Sequence, residues 1–164
     1  LNSRQADRDH SKNHLNYKIY ADVQSDYCYK IKLLLFYLQI DRESIHVDMY
    51  PRETKSNNFK KMNLNTRIPV LQISAVELLT DSNAILRFLA DGSSYLPSDP
   101  LAKTKFLQWQ FFEQHSDEPF IATARHINKY LGLLNEREDE YHGKQVSSHK
   151  ALTVIEQHFS VANN

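Results

Sequence analysis

Short runs of apolar residues divide the first half of the chain into strands and helices. Lys18–Ala21 is a β-prone run that ends in a polar turn, which is typical of a strand. Apolar residues then recur at spacings of three and four through Gln39, which predicts an amphipathic helix capped by Ser25 or Asp26. Residues 44–49 alternate between apolar and polar and predict a second strand. Together these segments predict a right-handed βαβ unit with parallel strands.

The next segments complete a small α/β domain. Residues 50–65 are mostly polar and support at most a short helix. Two apolar runs, 69–73 and 76–79, lie too close together for a crossover helix, so they predict a hairpin. Asp81–Ser82 then caps a helix that Gly92 helps to end. The predicted order of this domain is βαβαββα.

Beyond Pro100 the β-signal disappears and only helical periodicity remains. We predict helices over residues 101–114, 120–131 and 136–159. A stretch rich in Gly, Ser and Pro separates the two halves and reads as a linker. The expected organisation is a polar arm or non-domain remnant over 1–16, an α/β domain over 17–91, a linker over 92–100 and a helical domain over 101–164.

The charge balance, the apolar runs and the cysteine content limit the classes of function that this chain can have. The chain has 20 basic and 20 acidic residues, so no net positive charge favours nucleic acid. Its longest apolar run, Leu33–Leu38, is far short of the ~20 residues of a membrane span. Its single cysteine, Cys28, suits a reducing compartment, and we expect a cytoplasmic protein. His10 and His14 could begin a metal site or lie in a solvated tail; without a third ligand nearby, we expect no metal.

Five separated motifs carry a resemblance to a known family. Residues 25–30, Ser-Asp-Tyr-Cys-Tyr-Lys, resemble the turn and first helical turn of serine-type glutathione S-transferases. Residues 63–71, Asn-Leu-Asn-Thr-Arg-Ile-Pro-Val-Leu, are similar to that family's Asn-Pro-x-Gly-Lys/Arg-Val-Pro-x-Leu. Residues 81–85 are similar to its Glu-Ser-x-Ala-Ile, residues 95–97 to its Leu-x-Pro, and residues 107–114 to the start of its long helix.

The resemblance implies a fold and an assembly. The soluble members of this family, including the bacterial, theta-like and zeta-like ones, combine a thioredoxin-like βαβαββα domain with an all-α domain, so the implied fold class is α/β plus all-α. Leu64 and Thr66 depart from the family's usual Pro and Gly, and Asp81 is one methylene shorter than its usual Glu. Family chains continue for several helices beyond the position of Asn164, so we expect an incomplete helical domain. We also expect a homodimer, with no nucleic acid and no membrane as partner.

The resemblance also implies a catalytic serine. A thiol must become a thiolate to attack an electrophile, and a hydroxyl at a helix N-terminus can favour the anion by donating a hydrogen bond. In the resembled family this hydroxyl lies at the position of Ser25; the alternative is that Ser25 only caps the helix. Cys28 occupies the place of the second cysteine in a glutaredoxin-like Cys-Pro-Tyr-Cys whose first cysteine is replaced by serine. We therefore expect Cys28 to pack rather than to exchange disulfides.

Glutathione is the implied co-substrate. By resemblance, the main chain at a cis peptide bond before a proline binds its cysteinyl part, a carboxylate and a hydroxyl bind its γ-glutamyl end, and basic side chains meet its glycyl carboxylate. Each feature has a simpler alternative: a trans proline, an ordinary helix cap or a solvated surface charge. The candidate glutathione-binding residues are Ile68, Pro69, Asp81, Ser82, Arg67 and Lys55.

The second substrate would need an apolar pocket. Trp109 and Phe112 on the first long helix, with Tyr27, could line such a pocket, or the helical pair could belong to the core. The sequence does not indicate which small electrophile enters. We predict a glutathione transferase; the alternative is a non-catalytic, transferase-like module that binds a protein partner.

Overall fold

The computed structural model describes residues 17–49, 53–132 and 135–162. The chain divides between Pro100 and Leu101 into two compact units. The predicted N-terminal arm, with His10 and His14, lies outside the described residues. Among the described helices, none is both long and apolar enough to cross a membrane.

The first unit holds a four-stranded mixed sheet with helices. Its elements are β1 (Tyr17–Ala21), α1 (Asp26–Tyr37), β2 (Arg42–His46), a 3₁₀ turn (Glu53–Lys55), α2 (Asn57–Met62), β3 (Val70–Gln72), β4 (Leu78–Thr80) and α3 (Ser82–Ala90). The sheet order is β2-β1-β3-β4, with β1 parallel to β2 and antiparallel to β3, and β3 antiparallel to β4. The predicted order βαβαββα and the thioredoxin-like arrangement are therefore confirmed.

Buried and half-buried residues alternate along β1, and the buried ones mark the core of this unit. Tyr17, Ile19 and Ala21 are buried on β1, while the residues between them are half-buried. Helices α1 and α3, both predicted from the sequence, pack against each other. Their buried apolar residues are Cys28, Ile31, Leu34 and Leu35 on α1 and Ile85, Leu89 and Ala90 on α3.

Strand β2 begins and ends earlier than the alternation predicted. It pairs with β1 from Arg42 to His46, whereas the sequence predicted residues 44–49. Most of β2 is exposed at the sheet edge, so its first residues are polar and carry no apolar signal. Val47 is buried as expected and donates its N–H to Ala21 O at 3.1 Å, just beyond the strand.

The second unit is helical, with one difference from prediction. The helical backbone continues from α4 (Pro100–Phe112) through a π-turn (Glu113–Asp117), α5 (Glu118–His126) and a second π-turn (Ile127–Leu131). The predicted break between residues 114 and 120 was therefore wrong. A π-turn changes the hydrogen-bond register where Pro119 lacks an N–H, so the helix continues past the proline. Gly132, with φ of +61°, ends this run.

A last long helix completes the second unit. Helix α6 spans Glu138–Ala162 and packs against α5 and the first π-turn. Lys144 Nζ donates to Pro119 O at 3.0 Å, which satisfies a carbonyl near the change of register. Ile127 and Ala151 are the buried residues of the second π-turn and of α6. The predicted helix over residues 136–159 is present, but it begins two residues later and ends three residues later than predicted.

Asp117 in the first π-turn makes the stability of the chain depend on pH. Burial raises the pKa of its carboxyl, and the charges of Glu113 and Glu118 raise it further. Among the described residues, its buried Oδ1 has no hydrogen-bond partner. A raised folded-state pKa means that the folded chain binds the proton more tightly, so stability falls as pH rises from the unfolded pKa, about 3.9, through the folded one.

We expect Asp117→Asn to raise the free energy of unfolding at neutral pH by less than about 1 kcal/mol, since the carboxyl keeps part of its hydration. The gain should shrink as pH falls through the folded pKa and below about 3.9, because the acid then becomes protonated in both states. Chemical denaturation at several pH values measures it. Glu156→Gln, an exposed carboxylate on α6, is the control and should show no such pH-dependent gain. A gain for Asp117→Asn that grows on acidification would contradict the account.

Candidate functional site

Strand pairing brings the ends of several elements together at one edge of the sheet. Val70, the first residue of β3, pairs with Tyr20 near the end of β1 and with Thr80 at the end of β4. The segments that leave β1 and β4 and the segment that enters β3 therefore meet at this edge. These segments carry Ser25, Ile68–Pro69 and Asp81–Ser82, which are the central candidates from the sequence.

A buried carboxylate holds the loop between β1 and α1. Asp22 is 2% exposed; its Oδ1 accepts from Gln24 N–H at 2.8 Å and its Oδ2 from Met49 N–H at 3.1 Å. Its carbonyl oxygen accepts from Ser25 N–H at 3.3 Å. Asp22 thus fixes the backbone that presents Ser25. In the sequence, Asp22 could be recognised only as part of a polar turn, so this role was missed.

Ser25 lies at the N-cap of α1. Its Oγ accepts from Cys28 N–H at 3.4 Å, and the residue is 7% exposed. The capping function is therefore present. Because the hydroxyl oxygen serves as acceptor in this bond, its proton remains available to donate to another group. The N-terminal N–H groups and dipole of α1 point to the same place and favour a negative charge there.

Cys28 is a buried residue of the α1 core. It is fully buried, and this burial raises the pKa of its thiol. A thiol held in its protonated form is a poor nucleophile. These features favour the predicted packing role over disulfide exchange.

The Ile68–Pro69 peptide bond is cis. Both residues are buried, and the preceding loop is held by Asn63 Nδ2, which donates to Arg67 O at 2.8 Å. Within the described residues, the Ile68 N–H and C=O form no hydrogen bond with the protein. Ile68 therefore offers a main-chain donor and acceptor to an extended peptide, as the end of a strand does.

Asp81 and Ser82 begin α3. Asp81 Oδ1 accepts from Asn83 N–H at 3.0 Å and from Ala84 N–H at 3.1 Å, so the ordinary capping role is present. Asp81 is exposed and has a φ of +72°, whereas Ser82 is 5% exposed in the first turn. The arrangement provides a carboxylate and a hydroxyl beside a helix N-terminus, the chemistry that fits an amino acid's ammonium and carboxylate.

The basic candidates meet at the loop before β3: Arg67 belongs to this loop, and Lys55, which ends the 3₁₀ turn before α2, bonds to it. Lys55 Nζ donates to Thr66 Oγ1 at 2.6 Å, and Arg67 is exposed. Thr66 has a φ of +54°, at the position where the resembled family usually has glycine. The loop therefore keeps a glycine-like backbone despite the substitution, and the Lys55 bond holds the threonine in it.

We expect Thr66→Gly to stabilise the protein by about 1 kcal/mol, because a β-branched residue is disfavoured at positive φ. The thermal midpoint of unfolding measures this gain. Lys55→Met is the matched control: it removes the exposed hydrogen bond without relieving the backbone, so we expect a small loss of stability. A loss for Thr66→Gly as large as that for Lys55→Met would contradict the backbone explanation.

A cation on α1 contacts the start of α3, a link that the sequence analysis missed. Lys30 Nζ donates to Asn83 Oδ1 at 2.9 Å and lies 5.1 Å from the centre of the Tyr27 ring. Asn83 is the residue whose N–H bonds to Asp81. The contact joins residues 53 positions apart, so spacing along the chain gave no signal for it.

The three aromatic candidates lie in different units. Tyr27 belongs to α1, where Lys30 lies against its ring. Trp109 and Phe112 belong to α4; their ring centres are 5.3 Å apart, and Trp109 also contacts the His158 ring at 4.4 Å. Trp109 thus packs against a side chain of α6 within the helical unit. Across residues 17–49, 53–132 and 135–162, no group of three or more His, Cys, Asp or Glu side chains could hold a metal ion.

Comparisons with known proteins agree with this fold. The sequence model of the glutathione S-transferase N-terminal domain matches residues 24–91. A comparison with curated proteins gives no match.

Solved structures extend the similarity beyond that domain. The chain is 49% identical to a glutathione S-transferase from Pseudomonas fluorescens Pf-5, with a TM-score of 0.86 over 88% of this chain and 72% of that one. It is 32% identical to one from Xanthobacter autotrophicus Py2, with a TM-score of 0.83 over 88% of this chain and 71% of that one. A P. fluorescens family member solved with two glutathione bound is 20% identical, with a TM-score of 0.77 over 88% and 66%, and shows the shared fold. The chain therefore belongs to the glutathione S-transferase family.

Proposed function

We propose that this chain binds glutathione at the sheet edge defined by Ser25, Ile68 and Asp81 and transfers it to a small electrophile. The observation that carries the proposal is the meeting of three features at that edge. These are a serine hydroxyl at the N-terminus of α1, an open main-chain edge at the cis bond, and a polar pair at the N-terminus of α3. The choice of ligand is supported by the glutathione bound in the P. fluorescens family member that is 20% identical to this chain and has the same fold.

In this proposal Ser25 activates the thiol. The Ser25 Oγ–H donates to the glutathione sulfur, and the N-terminus of α1 adds a favourable field for the anion. A pKa lowered by two units requires about 2.7 kcal/mol, which is within reach of one charge-assisted bond and the helix end together. The thiol proton passes to solvent. The thiolate sulfur then forms a bond to an electrophilic carbon, and the leaving group departs with the electron pair.

The remaining site residues hold the peptide. The Ile68 N–H and C=O, placed by the Ile68–Pro69 bond, pair with the cysteinyl residue of glutathione. The Asp81 carboxylate receives the γ-glutamyl ammonium, and Ser82 with the α3 N-terminus receives its carboxylate. Arg67 and Lys55 meet the glycyl carboxylate. Because Lys55 already bonds Thr66, Arg67 is the freer of the two to turn towards a ligand.

The electrophile pocket and the assembly complete the proposal. Trp109 and Phe112, whose ring centres lie 5.3 Å apart in the helical unit, provide an apolar contact for the second substrate, and the protein acts as a cytoplasmic homodimer. The alternative, a non-catalytic module, rests on the loss of the usual Gly and Pro from the loop before β3 and on the short helical half. The positive φ of Thr66 weakens the argument from the lost glycine, since the loop keeps a glycine-like backbone.

Thermal unfolding tests ligand binding. A ligand that binds only the folded state stabilises it by RT ln(1 + [L]/Kd), which is about 2.7 kcal/mol at a hundredfold excess over Kd. We expect glutathione to raise the midpoint, and Asp81→Ala to reduce that rise. The isolated amino acid glycine is the control and should have no effect. An unchanged midpoint at millimolar glutathione would favour the non-catalytic module.

A further inference from the structure

The contact between Lys30 and Asn83 links the two helix ends on which the proposed site depends. Ser25 caps α1, while Asp81 caps α3, and a ligand that touches both requires a fixed spacing between them. Lys30 lies one turn into α1 and donates to Asn83 Oδ1 at 2.9 Å. Asn83 N–H in turn donates to Asp81 Oδ1 at 3.0 Å. A chain of hydrogen bonds therefore runs from α1 to the Asp81 carboxylate.

The ammonium of Lys30 is also held by an aromatic face. The Tyr27 ring, three residues earlier on α1, lies 5.1 Å from Nζ, a distance typical of a cation–π contact. A lysine carries four rotatable side-chain bonds, so two such contacts restrict a group that would otherwise move freely in water. The helix N-terminus opposes a positive charge, so these contacts are needed to keep the ammonium at this end of α1.

We propose that Lys30 is a positioning residue of the glutathione site, which sets the Asp81–Ser82 end of α3 relative to Ser25. This inference rests on the proposed function. Lys30 acts through Asn83 and Asp81, so it serves affinity for the γ-glutamyl end rather than the reactivity of the sulfur. Its loss should therefore weaken glutathione binding and leave the chemical step nearly unchanged.

Steady-state kinetics with glutathione and an activated aryl halide separate these effects. We expect Lys30→Met to raise KM for glutathione about tenfold, with kcat at saturation within about twofold of the wild type. Lys30→Arg should recover most of the affinity, because a guanidinium can also donate to Asn83 Oδ1. Lys32→Met removes the same charge from the same helix and is the matched control, with KM expected unchanged.

Asn83→Ala tests the same link from the other side and keeps Lys30 in place. It retains the main-chain N–H that bonds Asp81 and removes the acceptor of the Lys30 bond. We expect it to weaken binding of S-methylglutathione, measured by titration calorimetry, about as much as Lys30→Met does. The double variant should bind no more weakly than either single variant, because both remove one interaction.

The outcomes distinguish the two proposals. An active wild type whose KM is unchanged in Lys30→Met, or additive losses in the double variant, would overturn the positioning role and leave the transferase proposal intact. A fall in kcat without a change in KM would overturn it as well. A wild type that neither binds S-methylglutathione nor turns over glutathione would overturn both.

Discussion

Ser25→Ala should lower turnover about thirtyfold, because it removes a charge-assisted hydrogen bond to the thiolate worth about 2 kcal/mol, while the N-terminus of α1 remains. Affinity for glutathione should stay within a few fold of the wild type, since the main chain at Ile68 and the α3 N-terminus still hold the peptide. Steady-state kinetics with an activated aryl halide, together with calorimetric binding of glutathione, measure the two effects separately.

Helix capping provides the control for this prediction. Ser56 caps α2 as Ser25 caps α1, with its Oγ accepting from Phe59 N–H at 3.2 Å. Both alanine variants should lose about 1 kcal/mol of stability, but only Ser25→Ala should lose turnover. Cys28→Ser should have a much smaller effect on turnover. Equal losses from Ser25→Ala and Cys28→Ser would reopen the redox interpretation.

Asp22→Ala should lower the free energy of unfolding by about 3 kcal/mol, because it leaves two main-chain N–H groups without their carboxylate acceptor. For a chain of this size the midpoint should fall by roughly 6–12 °C. Turnover of the remaining folded protein should fall too, since Asp22 fixes the loop that presents Ser25. Calorimetric unfolding and kinetics measure both consequences.

The exposed carboxylate of Glu53 is the matched control for Asp22. Its Oε2 accepts from Asp48 N–H at 3.0 Å, but that bond lies in water. Glu53→Ala should therefore cost less than about 1 kcal/mol, because solvent can replace the lost acceptor. If both variants cost the same, burial of Asp22 does not govern the stability of the loop.

The order of elements in the first unit could be predicted because local signals agree with the fold. The alternation in β1, the apolar spacing in α1 and the Asp81–Ser82 cap each report a preference that the structure realises. The predicted bounds of β2 were wrong because the strand lies exposed at the sheet edge. Its pairing with β1, rather than its own apolar pattern, determines where it begins and ends.

Contacts between distant segments could not be predicted. The hydrogen bonds of Asp22 to Met49 and of Lys30 to Asn83 depend on how strands and helices meet in space. The continuous helix past Pro119 also had no local signal, because a π-turn is a change of register and not a residue preference. By contrast, the Ile68–Pro69 turn was marked in the sequence as an X-Pro bond at the entrance to an apolar strand, and it is cis.

Titration of the bound glutathione thiol tests the central claim most directly. Ultraviolet absorbance of the thiolate, followed against pH in the presence of the protein, should give a pKa about two units below that of free glutathione. In Ser25→Ala this shift should largely disappear while the peptide remains bound. A bound thiol that titrates like free glutathione in the wild-type protein would contradict thiolate activation by Ser25.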